Sequence, residues 1–385
     1  MEIKWNVNKN WMIGKAINVD NVDNIDNVNN VDNIDLKNKK IAAFDLDDTL
    51  IKTKSGKDFG TDEFDWEMYD DSIKKKLTDL INDNYNLVII SNQMGVSKGK
   101  IKLDTLKNKI KNVIDFLKLN FTIICAFNDD NFRKPRMKMW DFVLGDKENS
   151  FYCGDAGGLV KRKINNKQID KDFSDTDLKF ARNVGLKFIH RDEFVYDSKY
   201  NDNTYNIKYP INFDSLNFNN SDYDFKPNHQ EMILNVGFPA SGKSHVTLNV
   251  INHNYEYINQ DTLKTAKKCI IATESALKLG KSVIIDNTNI KKEDRKIFID
   301  LAKKYKIKCK CFLFTTPIET CKHNSYFRNY TTNGNINPIP QLVYNLMKSK
   351  YVKPELSEGF DAIDEIDFSL NLNNDMKDLY QKYYF

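Results

Sequence analysis

The chain has 385 residues, enough for two domains of ordinary size, and 41% of them are hydrophobic. Its 58 basic and 54 acidic residues leave a net charge of +4, so any surface for a polyanion has to come from local clustering. No apolar run reaches the roughly 20 residues of a membrane span. The N-terminus lacks the apolar segment of a secretory signal, and the six cysteines show no Cys-x-x-Cys pairing; reduced thiols in an intracellular protein, nuclear or cytoplasmic, are expected.

In chain order, residues 1–36 read as a low-complexity tail, because Asn18 to Asp35 repeat an Asn-Val/Ile-Asp unit with few large apolar groups. From Lys37 to Val195 strands alternate with helices. Ile41–Phe44, Leu87–Ile90, Phe121–Ala126 and Phe151–Cys153 read as strands. Ile73, Leu77, Leu80 and Ile81 share one helical face, as do Leu103, Leu106, Ile110, Val113, Ile114 and Leu117. That alternation predicts a parallel sheet with helices on both faces, and active residues at the carboxyl ends of its strands. Residues 196–228 turn to Asn, Asp, Tyr and Ser with little periodicity and read as a linker. A second alternating region, 229–385, starts with the strand Met232–Val236, then strands at Tyr257–Asn259, Ser282–Ile285 and Cys311–Phe314. A helix is expected from Thr262 to Leu279, stopped by Gly280. The fold class is therefore α/β, with two doubly wound parallel-sheet domains.

Chemistry gathers at the predicted strand ends. Asp45 directly follows Ile41–Phe44, and a carboxylate there can attack phosphorus, while Asp47 can protonate the leaving oxygen. Ser91 and Lys134 supply a hydroxyl and a cation for the transferring phosphoryl group, and Asp155 completes a Mg²⁺ site with Asp45 and Asp47. Taken singly, each has an ordinary structural role: a helix cap for Ser91, a solvated charge for Lys134, a turn residue for Asp155. Further on, Gly237-Phe238-Pro239-Ala240-Ser241-Gly242-Lys243-Ser244 matches G-x-x-x-x-G-K-S between a strand and a helix. Its backbone N–H groups favour phosphate, Lys243 reaches the terminal phosphates of ATP, and Ser244 can ligate Mg²⁺. Asp261 is either a helix cap or a base for an acceptor hydroxyl. Asp286-Asn287-Thr288-Asn289 follows another strand and can orient Mg²⁺ or acceptor. In Cys321–Arg328, Arg328 is the candidate lid cation, against the plainer reading of a charged helix face.

Asp45-Leu46-Asp47-Asp48-Thr49, Ser91-Asn92-Gln93, Lys134-Pro135 and Gly154-Asp155 together resemble the haloacid-dehalogenase superfamily of phosphatases. The resemblance implies Asp45 as nucleophile, Asp47 as general acid, and Ser91 and Lys134 as holders of the phosphoryl group. The whole of Lys37 to Phe368 is similar to the polynucleotide kinase 3′-phosphatase family, in the phosphatase-then-kinase order of its animal-type members. Asp172-Phe173-Ser174 in the first half, and Asp261-Thr262-Leu263, Asp286-Asn287-Thr288-Asn289, His323-Asn324 and Ser357-Glu358-Gly359-Phe360 in the second, carry that likeness.

The implied function is end healing: removal of a 3′-phosphate and ATP-dependent phosphorylation of a 5′-hydroxyl, both with Mg²⁺, on DNA ends first and RNA ends as the alternative. An end-binding scaffold with an inactive kinase is the reading from another class, opposed by the intact Lys243, Ser244 and Asp261. The first 36 residues leave no room for the forkhead-associated domain of the animal enzymes, so no such docking is expected. Gln260 and Tyr326 stand where the family has arginines, which leaves the strength of the kinase open.

Overall fold

A computed structural model describes residues 1–385 except 18–35, 59, 61, 165, 201–203, 206–228, 252–253 and 371. The chain divides into two compact units, Met1–Lys208 with Lys382–Phe385, and Tyr209–Gln381.

The first unit begins β1 (Glu2–Val7), β2 (Trp11–Ile17), β3 (Ile41–Phe44), β4 (Ile51–Lys52), β5 (Glu67–Met68), α1 (Ile73–Asn82), β6 (Asn86–Asn92), α2 (Leu103–Leu117) and β7 (Phe121–Ala126). It continues β8 (Phe151–Gly154), β9 (Arg162–Ile164), β10 (Lys167–Ile169), α3 (Thr176–Val184), β11 (Lys187–His190) and α4 (Arg191–Tyr196). Its main sheet has the order β1-β2-β7-β6-β3-β8-β11, the last five strands parallel. β3 is buried along its whole length, as a central parallel strand covered on both faces should be. The stripe of α2 packs as read, and Ile73 and Leu77 of α1 are buried, whereas Ile81 is 37% exposed.

Three expectations about the extent of the units need correction. The first 17 residues are not tail: β2 pairs antiparallel with β7, and Met12 and Ala16 enter the core. A short apolar run interrupted only by Lys15, Trp11–Ile17, carries this, with Met12 and Ala16 in one core cluster and Ile13 in another; the Asn-Asp repeat beside it overshadows the signal and itself lies outside the described residues. The expected linker does not begin at residue 196: Tyr200 and Tyr205 pack around His190, and Glu193 Oε2 accepts from the Tyr205 hydroxyl at 2.5 Å. Residues 201–203 and 206–228 of that span lie outside the described residues. The last residues of the chain belong with the first unit, because the Asn183 side chain satisfies both the N–H (2.7 Å) and the carbonyl (2.8 Å) of Tyr384.

The second unit runs β12 (Glu231–Val236), α5 (Lys243–Ile251), β13 (Tyr255–Ile258), α6 (Gln260–Leu263), α7 (Ala266–Lys278), β14 (Ser282–Ile285) and α8 (Lys292–Tyr305). There follow β15 (Lys308–Phe314), α9 (Ile318–Thr331), α10 (Gln341–Lys350), β16 (Ala362–Ile366) and α11 (Asn374–Lys382). Its sheet is wholly parallel, in the order β13-β14-β12-β15-β16. The single helix expected from Thr262 to Leu279 is two: Lys264 turns left-handed at φ +72°, and the Thr265 hydroxyl then caps α7 by accepting from Lys268 N–H.

Candidate active sites

In the first unit, the carboxyl ends of β3, β6 and β8 bring the expected residues together. Asp45 follows β3, and its N–H donates to the Cys153 carbonyl at 2.9 Å. Lys134 is buried, with its ammonium 2.9 Å from Asp45 Oδ1, 2.7 Å from Asp177 Oδ1 and 2.6 Å from the Tyr152 hydroxyl. Burial alone would lower the Lys134 ammonium, but Asp177 and then Asp45 outweigh it and hold its pKa above the ordinary value. Ser91, also buried, accepts from Gln93 Nε2 at 3.0 Å.

Asp155 follows β8, with Thr49 Oγ1 donating to its Oδ1 at 3.1 Å. Asp45, Asp155 and Asp177 offer carboxylate oxygens within 4.8 Å of one another. Crowding shows in their proton affinities. Burial, against the opposing pull of Lys134, raises Asp45 to about 7, and burial followed by Asp177 and Asp45 raises Asp155 well above the carboxylate range. Three carboxyls against one ammonium leave an excess of negative charge, and oxygen ligands of this kind suit a hard divalent cation such as Mg²⁺. Asp177 has both oxygens engaged, by Lys134 and by the Ala156 N–H, whereas Asp45 meets Lys134 and Asp155 meets Thr49 through Oδ1 alone, so Asp45 and Asp155 are the better placed to hold it.

The expectation that Asp47 shares the metal is not met by its side chain. Oδ1 is taken by the Lys109 ammonium and Oδ2 by Gln93 Nε2, both at 2.7 Å, so the carboxylate stands apart from the metal-binding group. Three further residues carry weight that sequence reasoning did not give them: Asp177, Lys109 and Gln93. The signal for Asp177 was Gly154, where a Cβ would sit 2.2 Å from Asp177 Oδ2; only glycine leaves room for that carboxylate. Asp172 has a bracing role. It accepts from the N–H groups of Gly157 and Leu159 and pairs with Arg162 and the His190 ring. His190 Nδ1 accepts from Asp192 N–H, which leaves Nε2 to donate to the Asp155 carbonyl at 3.0 Å.

In the second unit, Gly237 to Ser244 wraps from β12 into α5, with Ala240 (φ +58°) and Gly242 (φ +98°) both left-handed. Three consecutive carbonyls of the loop are held from outside: Pro239 by the Tyr344 hydroxyl (3.2 Å), Ala240 by Asn324 Nδ2 (2.9 Å), Ser241 by Thr316 Oγ1 (2.7 Å). With carbonyls turned away, the opposite N–H groups remain for an anion. Lys243 folds back onto the carbonyls of Gly237 (3.1 Å) and Phe238 (2.6 Å), and burial lowers its pKa to about 8. Ser244 Oγ donates to Asp286 Oδ2 at 3.0 Å, as does the Tyr257 hydroxyl, while Asn235 Nδ2 donates to Asp286 Oδ1. Ser244 with Asp286 is therefore the pair fit to hold Mg²⁺ beside a nucleotide.

Asp261 is not the cap of its helix; Asn259 is, accepting from Thr262 N–H at 3.1 Å, and Asp261 stays exposed on α6. The lid segment is the regular helix α9. Lys322 pairs with Glu319, and His323 is buried with its pKa lowered to about 4, so Arg328 alone of its basic groups is exposed. Glu358 forms a two-pronged pair with the wholly buried Arg295, whose NH1 holds the Asn289 carbonyl.

Residues 40–195 match the family described as polynucleotide kinase 3 phosphatase, and residues 271–354 match an AAA domain, a match that begins beyond the phosphate loop. A bifunctional polynucleotide phosphatase/kinase of Schizosaccharomyces pombe is 38% identical over 86% of this chain and 80% of its own length. A putative bifunctional polynucleotide phosphatase/kinase of Acanthamoeba polyphaga mimivirus is 35% identical over 86% of this chain and 85% of its own. The polynucleotide 3′-phosphatase ZDP of Arabidopsis thaliana is 33% identical over 42% of this chain and 24% of its own. With both sites present along the span of the full-length relatives, the chain belongs to the bifunctional polynucleotide phosphatase/kinase family.

Proposed function

We propose that the chain heals nucleic-acid strand ends, removing a 3′-phosphate in its first unit and phosphorylating a 5′-hydroxyl from ATP in its second, so that a ligase can join them. DNA breaks are the favoured substrate. The observation that carries this reading is one chain holding a carboxylate–lysine site around Asp45 and a braced phosphate loop joined through Ser244 to Asp286.

In the phosphatase, an Asp45 oxygen attacks phosphorus and the bond to the 3′-oxygen breaks as Asp47 gives that oxygen a proton. Lys134 and Ser91 hold the transferred group on Asp45, and Asp47, now ionised, takes a proton from the water that releases phosphate. Asp45 and Asp155 would hold Mg²⁺, which when bound would supply positive charge at the site. In the kinase, the loop N–H groups and Lys243 hold the phosphates of ATP, Asp261 accepts the proton of the 5′-hydroxyl, and Arg328 offers a cation to the transferred group. Lys243 must leave the Gly237 and Phe238 carbonyls when ATP binds.

The test is a nicked duplex with 3′-phosphate and 5′-hydroxyl, made as DNA and as RNA, followed by a ligase. Sealing of the DNA nick only after treatment with the protein, ATP and Mg²⁺ supports the reading. Faster healing of the RNA nick would move the substrate to RNA, and failure on both would refute end healing.

A further inference from the structure

Helix α2 buries an apolar stripe, Leu106, Ile110, Val113, Ile114 and Leu117. Lys109 stands on that same stripe, 4% exposed. Lysine is among the residues least often buried without a partner, because its ammonium loses hydration. Its partner is Asp47, with Nζ 2.7 Å from Oδ1. On the other side, Gln93 Nε2 lies 2.7 Å from Oδ2 and 3.0 Å from Ser91 Oγ. The Asp47 carboxyl is thus gripped through both oxygens, from α2 and from the segment after β6, while about a third of its side chain stays open to solvent. Two anchors fix its rotation as well as its place. Each oxygen has a second lone pair, so the grip persists when one of them carries a proton. A methionine or leucine at position 109 would complete the stripe without burying a charge, so packing alone does not account for lysine.

Resting on the assignment of Asp47 as the acid, we infer that Lys109 is a positioning residue for the phosphatase reaction. Its ammonium holds the Asp47 carboxyl at the orientation from which it protonates the leaving 3′-oxygen. As the bond from Asp45 to phosphorus forms and the bond to the 3′-oxygen breaks, the proton passes from Asp47 to that oxygen. Lys109 itself gives up nothing and touches no substrate atom.

The test compares two leaving groups in the full-length protein, by the first-turnover release of each. An oligonucleotide 3′-phosphate leaves as an alkoxide and needs the proton; p-nitrophenyl phosphate leaves without one. Lys109→Met should slow oligonucleotide release on the order of 10–100-fold with KM within about twofold, and p-nitrophenol release less than about threefold. Lys109→Arg should recover much of the loss, and Lys109→Gln, which keeps a donor and is more tolerant of the fold, should fall between. Equal losses on both substrates, or a raised oligonucleotide KM with kcat retained, would overturn the inference, the latter by making Lys109 a substrate contact. Asp47→Asn separates the two levels. If it too fails to discriminate between leaving groups, the acid assignment falls and takes Lys109 with it. If it discriminates while Lys109→Met behaves as wild type, the role of Lys109 alone is refuted.

Discussion

Lys134→Met tests the electrostatics of the phosphatase site most sharply. The substitution preserves length and removes a buried ammonium held by Asp45, Asp177 and Tyr152 at 2.6–2.9 Å. Asp45, Asp155 and Asp177 are then left with no cation among them in the metal-free protein. Breaking a buried pair by deleting one partner costs about 3–5 kcal/mol. Because the Lys134 pKa is raised, its contribution is fully present below the unfolded lysine value near 10.5 and is lost only as pH rises through the still higher folded value.

Asp45 has a dependence of the same sign, in a lower window. Asp45 titrates near 7 in the folded chain against 3.8 unfolded, so folding takes up a proton between those values and stability falls as pH rises through that window. Deleting Lys134 pushes the window further up, which makes the penalty larger above pH 7 than near pH 5, where Asp45 and Asp155 are protonated. Hydrogen exchange of the β3 and β8 amides without Mg²⁺ reads this locally. A loss of opening free energy below about 1 kcal/mol at pH 8, or an equal loss at pH 5 and pH 8, would refute the reasoning.

Asp261→Asn should abolish 5′ phosphorylation with ATP affinity nearly unchanged, since Asn259 and not Asp261 caps α6; equilibrium binding of ATP and transfer to an oligonucleotide measure the two. Asn324→Leu releases the Ala240 carbonyl and should weaken ATP binding by about 1–2 kcal/mol, visible in titration calorimetry, with 3′-phosphate release unaffected. Glu358→Ala leaves the Arg295 guanidinium buried and unpaired, and denaturant unfolding followed on the second unit should lose about 3–5 kcal/mol.

The strands and helices that place the sites were legible because parallel, doubly covered strands are short apolar runs, as in Ile41–Phe44, and because α2 carries an unbroken stripe. Asp45 and the phosphate loop were legible because each sits beside a strand in a motif with a stated spacing, and Lys134 because Lys134-Pro135 belongs to the set that Asp45 begins. Residues that act from a distance in sequence were not. Asp177 reaches Lys134 from 43 positions away, and Lys109 reaches Asp47 from 62, encounters that no local pattern announces. Asp47 read as a metal ligand because proximity in sequence to Asp45 says nothing of where the carboxylate turns. The N-terminal hairpin was missed because a seven-residue apolar run beside a conspicuous repeat is a weak signal until β7 supplies its partner.

The central claim is that one chain performs two phosphate transfers at separate sites. One measurement tests it: a single oligonucleotide bearing a 3′-phosphate and a 5′-hydroxyl, incubated with ATP and Mg²⁺ and resolved by mass. The wild type should yield 3′-hydroxyl with 5′-phosphate. Asp45→Ala should yield phosphate at both ends, because nothing replaces the nucleophile, and Lys243→Ala hydroxyls at both ends. Loss of both reactions in either folded variant, or normal 3′-phosphate release by Asp45→Ala, would contradict the account.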